Sequence, residues 1–193
     1  MNKLIPGVGL LALTITLALA GGATNKVQGL KKGPTIQGRL LDKTGHPTDL
    51  ITMEKVIKTD AEWRKQLTPK QYQIARGKGT EPAFCGVFYD HKKPGVYTCV
   101  CCDLPLFSSQ AKFDSGTGWP SFFQPIAKEN VITKADYSHG MRRVEILCAR
   151  CDGHLGHVFE DGPPPTNLRY CLNSESLKFT ETKPENETAK AGK

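Results

Sequence analysis

Arg143-Val144-Glu145-Ile146-Leu147-Cys148-Ala149-Arg150-Cys151 decides how this chain folds. Polar and apolar residues alternate at its start and the pattern then turns wholly apolar, as in a strand whose far end enters the core. That end carries a C-x-x-C pair, Cys148 with Cys151, and an upstream stretch carries a second, Cys99 with Cys102. Each such turn lets two thiolates converge on one cation, and a structural zinc takes four ligands with no open position. Positions 103 to 147, 45 residues, separate the pairs, so the metal ties distant parts of one domain together rather than folding a small finger. A thioredoxin-like redox dithiol, the other reading of a single pair, lacks the βαβ pattern it needs around either one.

Around this staple the chain predicts a mostly β domain, zinc-stapled, over residues 51–180. Strands are expected at Val96 to Val100, Val131 to Lys134, Arg142 to Cys148, His157 to Phe159, Arg169 to Leu172 and Leu177 to Thr180, separated by Gly, Pro, Asn and Asp turns. Two helices should precede them. Asp60 can cap a turn through Trp63 and Leu67, and Thr68-Pro69 supplies an N-cap followed by proline at the first helical position, with an end near Gly77.

The ends read differently. Lys3 followed by an apolar or small run from Leu4 to Ala20, with Ala18-Leu19-Ala20 before Gly21, predicts an export signal over residues 1–20. With Pro6, Gly7 and Gly9 inside it the run falls short of the ~20 apolar residues of a spanning helix, so no stable membrane span is expected after cleavage. Residues 21–50 read as a linker and 181–193 as a disordered polar tail. Export to the periplasm favours disulfides, yet seven cysteines is an odd number for a disulfide framework, and zinc would hold four as bound thiolates. The net charge of +7 is scattered through tails and loops, with no basic stripe interleaved with aromatics, so no nucleic-acid partner is expected.

Cys85, Cys101 and Cys171 remain outside the metal. Cys171 lies in Arg169-Tyr170-Cys171-Leu172-Asn173-Ser174, where in a strand Arg169 and Asn173 share its face. There the guanidinium can favour a thiolate and the amide can hold a polar oxygen. A lone strand cysteine is more often a core residue than a catalytic one. Cys151-Asp152-Gly153-His154-Leu155-Gly156-His157 begins on a zinc ligand, which would hold His154 and His157 rigidly as acid/base or hydrogen-bonding groups. In Ser115-Gly116-Thr117-Gly118-Trp119-Pro120-Ser121, a glycine turn fixed by proline carries Trp119, an apolar wall or a core ring.

Together with Ser138-His139-Gly140 and Phe122, these motifs resemble the B-type methionine sulfoxide reductases, and the likeness runs from about Trp63 to Phe179. The resemblance implies two small antiparallel sheets with peripheral helices and an enzyme of oxidative-stress protein repair. It implies that Cys171 attacks the sulfur of methionine-R-sulfoxide, free or in proteins, and becomes a sulfenic acid. Trp119 would pack on the substrate methyl, and His154, His157 and Asn173 would form the polar side of the pocket. Arg169 is expected beside the bound substrate.

Many members carry a resolving cysteine two residues before the tryptophan, whereas this chain has Thr117. Cys85, on a loop before the sheets, is the expected substitute, forming a disulfide with Cys171 that a thioredoxin-like donor then reduces. Cys101, wedged between two zinc ligands, is the less suited internal thiol, and direct reduction of the sulfenic acid by an external thiol is the third route. Two other functions fit parts of the chain: an exported dithiol oxidoreductase using one C-x-x-C pair, and a basic zinc-ribbon binding module.

Overall fold

The computed structural model describes residues 33–182; the expected export signal, the first part of the expected linker and all but the start of the tail lie outside them. In chain order the elements are β1 (Thr35–Gly38), β2 (Ile51–Glu54), α1 (Asp60–Gln66), α2 (Pro69–Ala75), β3 (Gly95–Cys99), β4 (Pro105–Ser108) and β5 (Lys112–Phe113). They continue with β6 (Ser121–Phe122), β7 (Val131–Asp136), β8 (Arg143–Cys148), β9 (His154–Phe159), β10 (Arg169–Leu172) and β11 (Leu177–Glu181). The expected mostly β domain with peripheral helices is present. A six-stranded sheet runs β5-β6-β10-β9-β8-β7, a three-stranded sheet runs β11-β3-β4, and β1 pairs with β2 alone. All pairings are antiparallel.

The helices form because their first turns are closed by side chains. Thr59, not Asp60, caps α1: its hydroxyl accepts from the Glu62 N–H while the Glu62 carboxylate accepts from the Thr59 N–H at 2.7 Å. Thr59 wins because only it has a glutamate three residues on, the reciprocal capping box. Thr68 and Gln71 repeat the device at α2 with Pro69 in the first turn, and the helix ends at Ala75. Their buried faces hold Trp63, Ile74 and Ala75 against the sheets.

The core joins the two sheets through fully buried Tyr97, Leu104, Leu106, Phe107, Phe122, Ile146, Leu155 and Leu172. Phe122 centres it, with ring centroids 5.0 Å from Tyr97 and 4.8 Å from Phe107. Truncating such a ring to alanine costs about 3–5 kcal/mol.

One expectation is corrected. Residues 33–50 belong to the folded unit rather than to a linker, since β1 pairs with β2 from Thr35 opposite Glu54 to Gly38 opposite Ile51. A buried Asn130 fastens the strand end, accepting from the Arg39 N–H at 2.9 Å and donating to the Arg39 and Pro105 carbonyls. A four-residue strand beside Gly, Lys and Pro shows no local periodicity; its stability comes from partners distant in sequence. Strands β4, β5 and β6 escaped the sequence pattern for the same reason.

Candidate active site

The metal centre is built first, because it holds the strand that follows. Two matching knuckles meet: the Asp103 N–H donates to the Cys99 carbonyl and the Asp152 N–H to the Cys148 carbonyl, both at 2.9 Å, with Asp103 and Asp152 at positive φ. The sulfurs of Cys99, Cys102, Cys148 and Cys151 all lie within 4.8 Å of one another, with Cys99–Cys151 at 3.6 Å and Cys102–Cys148 at 3.5 Å. Four thiolates around a tetrahedral zinc at ~2.3 Å would stand ~3.8 Å apart, so the set fits the ion. The donor chemistry agrees: the neighbouring sulfurs push the Cys99 thiol well above its usual range, and only a cation lets all four ionise together. Cys101, between two ligands, is buried at 2% exposure and is turned into the core cluster.

From Cys151 the chain enters β9, where the β8–β9 register slips between Ile146 and Leu147. Gly156 faces Ile146 while His154 faces Leu147, so Leu155 is an extra residue. Without the bulge, residues three apart would point to opposite faces. With it, the His154 and His157 rings meet edge to face, centroids 5.4 Å apart.

Cys171 sits in the middle of the six-stranded sheet, opposite His157 on β9 and opposite Ser121 on β6. The close approach requires Gly156, where a Cβ would fall 2.0 Å from the Cys171 carbonyl oxygen. A cavity of about 110 Å³ opens over the thiol, lined by Thr80, Trp119, Arg143, Gly156, His157, Phe159, Cys171, Leu172 and Asn173. A larger cavity, about 660 Å³, lies between residues 41–47 and residues 123–126 and shares no residue with it.

Trp119 is a fixed wall of the smaller cavity. The Gly118 turn, at φ +84, leaves no room for a side chain against Phe84, and the indole N–H donates to the Glu81 carbonyl at 3.0 Å. Glu81 is itself buried, its carboxylate accepting from the Ser174 and Glu175 N–H groups. Asn173 reaches the cavity, yet its oxygen accepts from the Glu81 N–H at 3.0 Å and its NH2 donates to the Leu155 carbonyl at 3.3 Å. Its amide therefore fastens the Glu81 segment to β9.

Burial raises the Cys171 thiol above its ordinary value; Arg169, by charge and hydrogen bond, and the Thr117 hydroxyl pull the other way without winning. Arg169, expected beside the substrate, does not line the cavity: it forms a two-pronged ion pair with Asp161 at 2.8 and 2.9 Å and stacks 4.5 Å over Phe159. Thr117 belongs to a hydroxyl chain, 2.8 Å from the Ser115 oxygen, which is 2.8 Å from that of Ser121.

The two histidines part company here. His157 lines the cavity, with Nε2 2.8 Å from the Asp136 carboxylate. His154 stands behind it at 2% exposure, its Nδ1 2.7 Å from Glu145 and its Nε2 without a partner. Burial lowers its affinity for a second proton, against Glu145. Cys85 is exposed on the loop after Glu81, and does not line the cavity. That loop is tied at Phe84, whose N–H donates to the Gly118 carbonyl at 2.8 Å, and at Phe88, whose N–H donates to the Ser174 hydroxyl at 3.1 Å.

The structure thus brings together Cys171, His157, Trp119 and Asn173, and leaves His154, Arg169 and Cys85 outside the cavity lining. It also adds Arg143 and Asp136, which sequence reasoning missed. Asp136 accepts from the Ser138 N–H at 2.9 Å and from Arg143 at 2.8 Å as well as facing His157. The Asp-x-Ser turn after a strand was the available signal, and it reads equally as an ordinary hairpin turn.

Residues 67–181 match the SelR domain family. A protein of Hahella chejuensis named peptide methionine sulfoxide reductase MsrB is 61% identical over 127 residues, 66% of this chain and 91% of its own length. Proteins of the same name from Herminiimonas arsenicoxydans and Azotobacter vinelandii are 57% identical over 135 residues and 58% over 127, covering 98% and 96% of their own lengths.

Proposed function

We propose, given that this chain belongs to the SelR-domain family of B-type methionine sulfoxide reductases, that it reduces the R epimer through Cys171. The observation that carries this is the small cavity with the thiol at its base, the Trp119 ring on one wall and His157 on another. The substrate methyl packs on the indole and the sulfoxide oxygen turns to the histidine. In that pose the sulfur faces the Cys171 sulfur, and the mirror configuration would put the methyl on the polar wall.

Cys171 attacks the sulfoxide sulfur. The oxygen passes to the cysteine, the thiol proton ends on that oxygen by way of His157, and methionine leaves: one sulfur is reduced by two electrons and the other oxidised to a sulfenic acid. Arg169 and Thr117 stabilise the thiolate against the burial that opposes it. Asn173 holds Glu81, and Glu81 holds Trp119, so the amide acts on the wall of the pocket.

The sulfenic acid is then resolved by Cys85, whose thiol displaces the oxygen as water and leaves a Cys85–Cys171 disulfide for a thioredoxin-like dithiol. Thr117 stands where other members carry their resolving thiol, and Cys85 is the exposed free cysteine, whereas Cys101 is buried. Zinc bound by Cys99, Cys102, Cys148 and Cys151 supplies no chemistry to the reaction; it would fix the strand that carries the histidines. The apolar segment before Gly21 supports export to the periplasm, and among the described residues no helix is long and apolar enough to cross a membrane.

The test is turnover of separated epimers with dithiothreitol. The R epimer should be reduced and the S epimer left; comparable rates on both, or activity retained in Cys171→Ser, would overturn the assignment.

A further inference from the structure

Two carboxylates stand behind the two histidines. Asp136, at the end of β7, places Oδ2 2.8 Å from His157 Nε2. The same oxygen accepts from Arg143 Nη2 at 2.8 Å, and Oδ1 accepts from the Ser138 N–H at 2.9 Å. Glu145, buried on β8 and directly opposite His157 in register, turns to the other ring: Oε1 is 2.7 Å from His154 Nδ1 and Oε2 accepts from Lys78 at 2.8 Å. The remaining charged or titratable group facing His157 is Cys171, across the strand on β10.

An ionised carboxylate only accepts, so a ring nitrogen facing one must carry a hydrogen. Asp136 is firmly ionised. The Ser138 N–H and hydroxyl, then His157 and Arg143, hold its carboxyl well below the usual carboxylate range. Glu145 reaches the same state by a different balance: burial raises it, and the hydrogen bonds from Lys78 and His154 together bring it below its ordinary value.

We propose that Asp136 is a positioning residue that fixes the neutral His157 ring as the Nε2–H tautomer, leaving Nδ1 as the nitrogen that takes the thiol proton and gives it to the substrate oxygen. Glu145 fixes the opposite tautomer on His154, with hydrogen on Nδ1 and a bare Nε2. The missing partner of that buried Nε2 is then the expected lone pair rather than a stranded N–H. Two rings in contact thus hold opposite tautomers, set by carboxylates from neighbouring strands. A carboxylate behind a catalytic imidazole orients the ring and selects its tautomer in the same way.

The arrangement predicts what a single amide would do. In Asp136→Asn the amide oxygen stays in the Oδ1 place with the fixed Ser138 N–H, so the NH2 takes the Oδ2 place toward His157 Nε2 and the longer Arg143 side chain turns away. A donor there forces the ring hydrogen onto Nδ1 and removes the lone pair that accepts the thiol proton. Asp136→Ala removes the bias without imposing the wrong tautomer.

Only the kinetic arm of this inference rests on the reductase reading; the tautomers are read without turnover. The experiment is two-bond 1H–15N correlation of the histidine rings in the zinc-loaded full chain, at a pH where titration shows them neutral, with His154→Gln and His157→Gln for assignment. His157 should show the Nε2–H pattern and His154 the Nδ1–H pattern in the unsubstituted protein. Asp136→Asn should switch His157 to Nδ1–H and lower kcat on the order of 100-fold with little change in KM, and Asp136→Ala should lose less. An Nδ1–H or mixed His157 in the unsubstituted protein overturns the proposal whether or not the variants fold. So does an Asp136→Asn enzyme that switches tautomer and keeps its kcat. The assigned tautomers in a protein inactive on methionine sulfoxide would instead strike at the reductase reading alone.

Discussion

Cys171 and His157 face each other directly across β10 and β9, and a residue without a side chain, Gly156, is what lets the strands meet there. The proposed nucleophile and the group proposed to move its proton are thereby held by sheet register. Segments outside the strands contribute Thr80, Trp119 and Asn173 to the cavity wall.

Gly156→Ala tests that relationship. A Cβ 2.0 Å from the Cys171 carbonyl oxygen cannot be accommodated by rotating a side chain, so the strands must part. The expected result is a loss of about 3 kcal/mol, at the upper end of overpacking penalties, together with a larger loss of activity. Chemical denaturation checks it; an unchanged midpoint with full activity would show that the strands do not meet so closely.

The ionisation of Cys171 gives a pH prediction with a definite sign. Burial favours the neutral thiol and wins over Arg169 and Thr117, so alkylation of Cys171 should rise with pH through an inflection above the ordinary thiol value. Arg169→Leu deletes the main opposing charge and leaves Asp161 behind, which moves the inflection further up. Iodoacetamide labelling followed by peptide mapping reads both, and an inflection that moved down in Arg169→Leu would contradict the electrostatic role given to Arg169.

Metal removal should unfold the domain rather than merely inactivate it. The four thiolates link β3 and its turn to β8 and its turn, and binding of zinc to such a set contributes on the order of 10 kcal/mol to folding. One zinc per chain is expected by elemental analysis, with Cys148→Ser showing lost metal and lost cooperative unfolding. A folded, metal-free and active preparation would refute this.

Much of this was legible in the chain because it rests on local chemistry. The two C-x-x-C pairs converge as their spacing implies, Thr68-Pro69 caps α2, and the apolar end of β8 runs into the metal centre. What stayed hidden depends on partners distant in sequence. The β1–β2 hairpin needs Asn130, ninety-one residues from Arg39. The meeting of the His154 and His157 rings follows from a bulge that no pattern of residue types announces. Asp136 and Arg143 look like ordinary hairpin ends until β9 brings His157 against them.

The central claim is that Cys171 takes the oxygen and Cys85 removes it, and mapping one turnover of the Cys85→Ser enzyme tests it most directly. With methionine-R-sulfoxide and no reductant, that variant should release one methionine per chain and hold a single added oxygen, trapped by a sulfenic-acid reagent, on Cys171 alone. The unsubstituted enzyme should show a Cys85–Cys171 disulfide in its place. An oxygen on any other residue, or a disulfide between Cys171 and Cys101, would contradict the account.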